Sequence, residues 1–136
     1  MRKFKLEIVS PDGTEFVGEI ESLLVRTDEG DVEILAGHAD YLGTISVGRA
    51  RILSDGKSRI ASVAGGFISV NSKCTRLAVT TFEFSEDIDL ARAMSAKERA
   101  EAAIAAAKSD RDLKIAEAKL KRAMNRISVS NSHGNR

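Results

Sequence analysis

The stretch Ile88-Asp89-Leu90-Ala91-Arg92-Ala93 divides the chain into two parts of different composition. All five phenylalanines, the single tyrosine and every glycine except Gly134 come before it. The sequence after it is rich in alanine, lysine, arginine and glutamate. A run of strands followed by a run of helices predicts an α+β chain with two domains. We therefore expect a β domain over residues 1–84, a helical domain over 85–130 and a polar, disordered tail over 131–136.

The first part has the pattern of short β-strands. Apolar and charged residues alternate from Lys3 to Ile8, with the period of a half-buried strand. Ser10-Pro11-Asp12-Gly13 and Ser54-Asp55-Gly56 are turn signals, and Gly48 and Gly65-Gly66 mark bends between strand segments. Closely spaced strands with no helical pattern between them predict an antiparallel β-sandwich or flattened barrel. The predicted core consists of Phe4, Leu6, Ile8, Phe16, Leu24, Ile34, Leu42, Ile45, Ile52, Ile60, Val63, Phe67, Ile68, Leu77 and Val79.

The second part has two amphipathic faces with helical spacing. The first face consists of Ala93, Ala96, Ala100, Ala103 and Ala107, and the second of Leu113, Ala116, Leu120, Ala123 and Ile127. Ser109-Asp110 between them is a helix-start signal. These features predict an antiparallel two-helix hairpin. Because alanine buries little apolar area, we expect the hairpin to be marginally stable and able to open or detach.

Net charge and side-chain chemistry limit the classes of function that the chain can have. The formal net charge is +1, which gives no strong attraction to nucleic acid. The second predicted helix is locally basic, which favours an acidic protein surface or a nucleotide phosphate as its ligand. The only histidines are His38 and His133 and the only cysteine is Cys74, with no catalytic set, metal-ligand spacing or phosphate loop. We expect no catalytic residues, no metal, no obligatory cofactor and no membrane-spanning segment.

The acid and base at the domain junction have two interpretations. Asp89 and Arg92 are three residues apart at a predicted helix start, where a local ion pair contributes about 0.3 kcal/mol. The same two groups could instead hold a polar ligand. The pattern alone favours the simple helix start.

Three segments in order resemble one family. Glu29 to Ala39 is similar to its EGE-x-GILPGHAP segment, Val63 to Val70 to its GG-[FI]-[LI]-x-V strands, and Ile88 to Ala93 to its [IL]-D-x-x-R-A helix start. The family is the epsilon subunit of the bacterial F-type ATP synthase. The chain departs from it at Glu33, Ala36 and Asp40, where the family usually has Gly, Pro and Pro.

The resemblance implies a non-catalytic central-stalk subunit on the cytoplasmic face of the bacterial membrane, attached only through the complex. Its expected partners are the gamma subunit, the c-ring and the alpha and beta subunits, with Asp31 and His38 contacting the rotor ring. The hairpin would inhibit ATP hydrolysis when extended, and ATP would be a regulatory ligand of the folded-down form. A free-standing nucleotide-binding sensor and an enzyme with a β-sandwich active site are the alternatives.

The resemblance also implies two sets of site residues. The expected ATP-binding residues are Glu83, Ile88, Asp89, Arg92, Ala93, Arg99, Arg122 and Arg126. The basic residues expected to act in inhibition are Lys114, Lys119, Lys121 and Arg122. Carboxylates repel phosphate, so Glu83 and Asp89 are expected at the base or ribose. The arginines are expected either to contact the phosphates or to order the acids, since a guanidinium group suits both.

Overall fold

The computed structural model describes residues 2–132, in which seven strands precede two helices. The strands are β1 Phe4–Ser10, β2 Gly13–Ile20, β3 Ser22–Thr27, β4 Gly30–Leu35, β5 Tyr41–Ser54, β6 Lys57–Val70 and β7 Thr75–Phe84. A short 3₁₀ turn, Ser85–Asp87, leads to α1, Leu90–Ala106, and α2, Asp110–Ser132. This order confirms the predicted α+β architecture of a sandwich followed by a hairpin.

The strands form one folded sheet in the order β2-β1-β7-β6-β5-β3-β4. β2 contacts β5 although three strands separate them in this order, so the sheet folds over on itself into two layers. It does not close, because β2 and β4 remain as edges. One pair, β1 with β7, is parallel, which corrects the expectation of a wholly antiparallel sandwich.

The glycines predicted to separate strands lie inside continuous strands instead. β5 and β6 each run for 14 residues, through Gly48 and through Gly65-Gly66 respectively. Gly66 has a φ of +118°, and a Cβ at this position would lie 2.0 Å from the carbonyl oxygen of Ala78 on β7. The glycine therefore allows a close approach of two strand backbones without interrupting the strand.

The core between the layers consists mainly of aliphatic side chains, with Leu6, Ile8, Ile20, Leu23, Ile68 and Leu77 fully buried. Leu42 and Phe67 were predicted in the core but are 75% and 59% exposed. Strand alternation explains both errors, because the buried residues Ile45 and Ile68 take the inward positions of their strands. Leu42 and Phe67 therefore point away from the core.

The hairpin packs through small side chains. Its buried residues are Ala93 and Ala100 on α1, and Ala116, Ala123 and Val129 on α2. Ser109 accepts a hydrogen bond from the backbone N–H of Asp112 at 3.1 Å, as expected of a helix N-cap.

The second helix is longer than predicted. It continues through Ser132, so the expected disordered tail is wrong for residues 131 and 132, and residues 133–136 lie outside the described part of the chain. Val129 is fully buried and Ser132 donates a hydrogen bond to the carbonyl of Ser128, so the last turns have both apolar and polar contacts. Composition alone did not show the burial of Val129.

Candidate functional site

A cavity of about 630 Å³ lies where the sandwich meets the hairpin. Its walls come from strands of the sandwich and from both helices. The lining residues are Val47, Ser62, Ala64, Thr81, Glu83, Arg92, Ala96, Arg99, Ala100, Ala103, Lys119, Arg122, Ala123, Asn125 and Arg126. This volume falls within the usual range for small-molecule sites. The alanines leave the space that larger side chains would fill.

The cavity is strongly basic. Five of its lining residues are basic and one, Glu83, is acidic. Arg92 and Arg99 come from α1, whereas Lys119, Arg122 and Arg126 come from α2. The folded hairpin thus brings together basic side chains that are up to 34 residues apart in the sequence. Such an arrangement suits a ligand with several negative charges.

Glu83 holds one of these arginines. Its carboxylate accepts two hydrogen bonds from the Arg126 guanidinium, from Nε at 2.7 Å and from Nη2 at 3.2 Å. The two side chains are 34% and 24% exposed, so the pair is partly shielded from solvent. This two-point contact joins the last strand of the sandwich to the second helix.

Two further contacts hold α2 on the sandwich. The side-chain amide of Asn125 donates to the backbone carbonyl of Gly48 at 2.8 Å and to the Ser62 hydroxyl at 3.0 Å. Arg49 donates to the Ser128 hydroxyl at 2.9 Å. Asn125 and Ser62 were not predicted from the sequence. The one available signal was an asparagine inside a predicted helix, where its propensity is poor.

Asp89 caps α1 instead of pairing with the Arg92 guanidinium. Its carboxylate accepts the backbone N–H of Arg92 at 3.1 Å. Asp89, Ile88 and Ala93 do not line the cavity, and Ile88 and Ala93 are buried. Of the eight expected ATP-binding residues, the fold brings the acid Glu83 and the four arginines together. Asp89 can act on the cavity through the first turn of α1, which carries Arg92.

The linker between the domains is anchored to the sandwich. Arg59 on β6 donates to the Glu86 carboxylate at 2.7 Å, and its guanidinium carbon lies 3.5 Å from the centroid of the Phe84 ring. Burial alone would raise the pKa of Glu86, but hydrogen bonds from Arg59, the backbone and Ser85 outweigh it and hold the pKa below its usual range. The 3₁₀ turn is thereby tied to the sandwich just before α1 begins.

The two expected rotor contacts do not lie in one loop. Asp31 belongs to β4, where Arg26 donates to it at 2.7 Å, and His38 follows the end of that strand. Because a strand of this length spans roughly 20 Å, the two residues lie towards opposite ends of β4. Nδ1 of His38 is 2.7 Å from the carbonyl oxygen of Ala39. His38 also lines a second cavity of about 550 Å³, with Arg2, Lys5 and Lys73 among its neighbours.

The basic residues expected to act in inhibition divide between two surfaces. Lys119 and Arg122 line the cavity, whereas Lys114 and Lys121 are exposed outside it. Across residues 2–132 no cluster of His, Cys, Asp or Glu could hold a metal ion. Neither of the two described α-helices is long and apolar enough to cross a bilayer.

Comparison with known families accounts for both domains. Residues 3–85 match the β-sandwich domain of the ATP synthase delta/epsilon chain, and residues 86–131 match its long α-helix domain. An ATP synthase epsilon chain of Bacillus velezensis is 37% identical over 130 residues, covering 96% of this chain and 98% of that protein. One from Ruminococcus albus is 40% identical over 132 residues, with coverage of 96% and 98%.

Solved structures agree on the fold. A chain in the Euglena gracilis mitochondrial ATP synthase, in a structure with OSCP, F1 and c-ring, has a TM-score of 0.79 and 21% identity. The match covers 92% of this chain and 79% of that chain. A chain in the Tetrahymena thermophila central stalk and c-ring has a TM-score of 0.63 and 11% identity, with coverage of 95% and 97%.

The chain belongs to the ATP synthase delta/epsilon chain family. Its close bacterial relatives are epsilon chains of that complex, and they match this chain over nearly their whole length. Proteins of this family are chains of the ATP synthase complex.

Proposed function

We propose that the chain is a central-stalk subunit of a bacterial F-type ATP synthase and couples proton translocation to ATP synthesis. Its partners are the gamma subunit, the c-ring and the alpha and beta subunits, which place it at the cytoplasmic face of the membrane without a span of its own. The support is the full-length similarity to bacterial epsilon chains. The same similarity disfavours a free-standing sensor, which would need no complex. A pull-down from lysate that recovers no polypeptides of alpha, beta and gamma size would favour the sensor instead.

ATP is the proposed ligand of the basic cavity, and it stabilises the folded-down hairpin. The observation that carries this proposal is the convergence of Arg92 and Arg99 from α1 with Arg122 and Arg126 from α2. A polyphosphate that contacts both pairs joins two helices whose buried seam is mostly alanine. Charge-assisted hydrogen bonds contribute about 1.5–3 kcal/mol each, so a few reach the roughly 5.5 kcal/mol that reverses a 1:99 equilibrium.

The acid in the cavity orients the nucleotide. Glu83 repels phosphate, so the base or ribose lies on its side and the triphosphate lies nearer Arg122 and Arg99. Arg126 pairs with Glu83 before binding. Its guanidinium has five N–H donors, enough to keep one contact with Glu83 and offer another to phosphate.

Calorimetric titration of the full chain with ATP tests this assignment. Arg99→Ala and Arg126→Ala should each weaken binding by at least tenfold, because each removes a charge-assisted donor. Arg111→Ala is the matched control, since Arg111 is exposed on α2 and does not line the cavity. Equal affinity in all four proteins, or no heat at millimolar ATP, would end the nucleotide proposal.

The released hairpin inhibits ATP hydrolysis by the assembled enzyme. Release exposes the cavity face of α2, so Lys119 and Arg122 join Lys114 and Lys121 in offering positive charge to acidic segments of the beta subunits. Truncation after Asp87 leaves the Arg59–Glu86 anchor in place and removes both helices. Hydrolysis by complexes reconstituted with this truncation should rise, and unchanged hydrolysis would exclude an inhibitory hairpin.

The sandwich contacts its rotor partners through its surface. Leu42 and Phe67 lie on one outer face, because Leu42 pairs with Ser69, Phe67 pairs with Thr44, and the two pairs are two residues apart along the strands. Exposed apolar side chains that are neighbours on a sheet suit a protein interface. Asp31 and His38 remain the proposed contacts with the ring. Charge reversal at Asp31 combined with His38→Ala should reduce assembly or coupled proton transport, and the contact is refuted if both are unchanged.

A further inference from the structure

One row of residues across three strands receives the end of the second helix. Arg49 on β5 pairs with Ser62 on β6, and Ser62 pairs with Glu83 on β7. Residues directly opposite one another in neighbouring strands point to the same face of a sheet. Each member of this row contacts one residue of α2, within the segment from 125 to 128. We call Arg49, Ser62 and Glu83 the docking row.

The contacts of the docking row differ in their relation to the cavity. The Glu83–Arg126 pair lies in the cavity wall, where an anionic ligand competes for the guanidinium. Arg49 and Ser128 do not line the cavity. Asn125 does line it, but its amide donates to a backbone carbonyl and a hydroxyl, neither of which carries a charge that phosphate would displace.

Asn125 is suited to fix the rotation of α2. A side-chain amide has two N–H donors, and both find acceptors here, on Gly48 and on Ser62. The two acceptors belong to adjacent strands, so the bond pair sets both the position and the rotation of the helix. Arg122 and Arg126 lie three residues before and one residue after Asn125, and a change in rotation would turn them away from the cavity.

We propose that Asn125 is a positioning residue that holds the hairpin folded down in the absence of nucleotide and aims the α2 arginines into the cavity. The arginine pair with Glu83 is the exchangeable contact, and the Asn125 contacts persist when nucleotide binds. The nucleotide part of this proposal rests on the proposed function, whereas the docking part does not.

Two measurements on the full chain test the proposal separately. Pulsed electron paramagnetic resonance measures the distance between sandwich and hairpin. The spin labels are attached to cysteines introduced by Lys57→Cys and Glu117→Cys in a Cys74→Ser background. Lys57 and Glu117 are both exposed. Calorimetry with ATP reports affinity on the same variants without labels.

Asn125→Ala should lower the ratio of docked to released hairpin by roughly five- to tenfold without nucleotide, the effect of losing one or two hydrogen bonds. The apparent affinity for ATP should fall with the docked fraction, and saturating ATP should restore the docked distance. Asn125→Asp should release the hairpin at least as much, because a carboxylate repels the Gly48 carbonyl. Asn131→Ala is the matched control, being the same change at an exposed position of the same helix.

A double-mutant cycle separates positioning from general destabilisation. Ser62→Ala should release the hairpin by a smaller factor than Asn125→Ala, and should add nothing in the Asn125→Ala background. An unchanged docked fraction in Asn125→Ala overturns the proposal. If ATP binding is weaker while the docked fraction is unchanged, Asn125 contacts the ligand directly and is not a positioning residue. If the wild-type chain binds no ATP, the nucleotide function fails while the docking arm still gives its own result.

Discussion

Val129→Ala tests whether the hairpin opens separately from the sandwich. Val129 is completely buried, with 0% of its surface accessible. The other buried residues of the two helices are all alanines. The substitution removes two carbons at about 0.8 kcal/mol each, or about 1.6 kcal/mol before any cavity effect. Opening of the hairpin should therefore become roughly 15-fold more frequent.

Amide hydrogen exchange of the full chain is the assay. Amides of α1 and α2 should exchange about 15-fold faster in the variant, whereas amides of β6 and β7 should keep their rates, since the sandwich has its own core. Met124→Ala is the control, because Met124 is 51% exposed on the same helix. Equal acceleration in the sandwich would show that the two domains unfold as one unit, and unchanged rates in α2 would show that Val129 does not hold the hairpin. Either result would refute the reasoning.

Three further changes have defined outcomes. Gly66→Ala should destabilise the chain by about 2–4 kcal/mol in denaturant titration, because its Cβ would meet the Ala78 carbonyl, whereas Gly56→Ala, with no atom within 4 Å, should cost less. The pKa of Glu86 in the folded chain is lowered from 4.5, so the ionised carboxylate stabilises the fold above that pH, and this contribution is lost as the pH falls through the folded pKa. The free energy of unfolding of the wild-type chain should therefore decrease on the acid side by at most about 1 kcal/mol from this group, and Glu86→Gln should not show that decrease. Phe67→Ser should change the free energy of unfolding by less than about 0.5 kcal/mol, because the side chain is 59% exposed, while reducing assembly with partner subunits.

Periodicity in the sequence predicted the elements better than their pairing. Alternation located the strands, and the helical spacing of alanine and larger apolar residues located two helices that pack on each other. The parallel β1–β7 pair could not be predicted, because it joins residues almost 70 positions apart and no local pattern records that partnership. Leu42 and Phe67 were assigned to the core by hydrophobicity alone, although their strand phase relative to Ile45 and Ile68 pointed outward.

The site was predictable where charge marked it. The resemblance identified Glu83 and the four arginines that the fold brings together. It also suggested Asp89, whose role in the structure is to cap α1. Ser62 and Asn125 were missed, because the role of these uncharged residues depends on the hydrogen bond between them, which forms only in the folded chain.

We expect nucleotide to bind between the sandwich and the folded hairpin. Arginine side-chain Nε–Hε signals in ¹H–¹⁵N spectra of the full chain, recorded with and without ATP, locate the ligand directly. The signals of Arg92, Arg99, Arg122 and Arg126 should shift, whereas those of Arg51 and Arg111 should stay unchanged. Shifts confined to Arg2 and Arg76 near the other end of the sandwich, or no shifts at saturating ATP, would contradict this expectation.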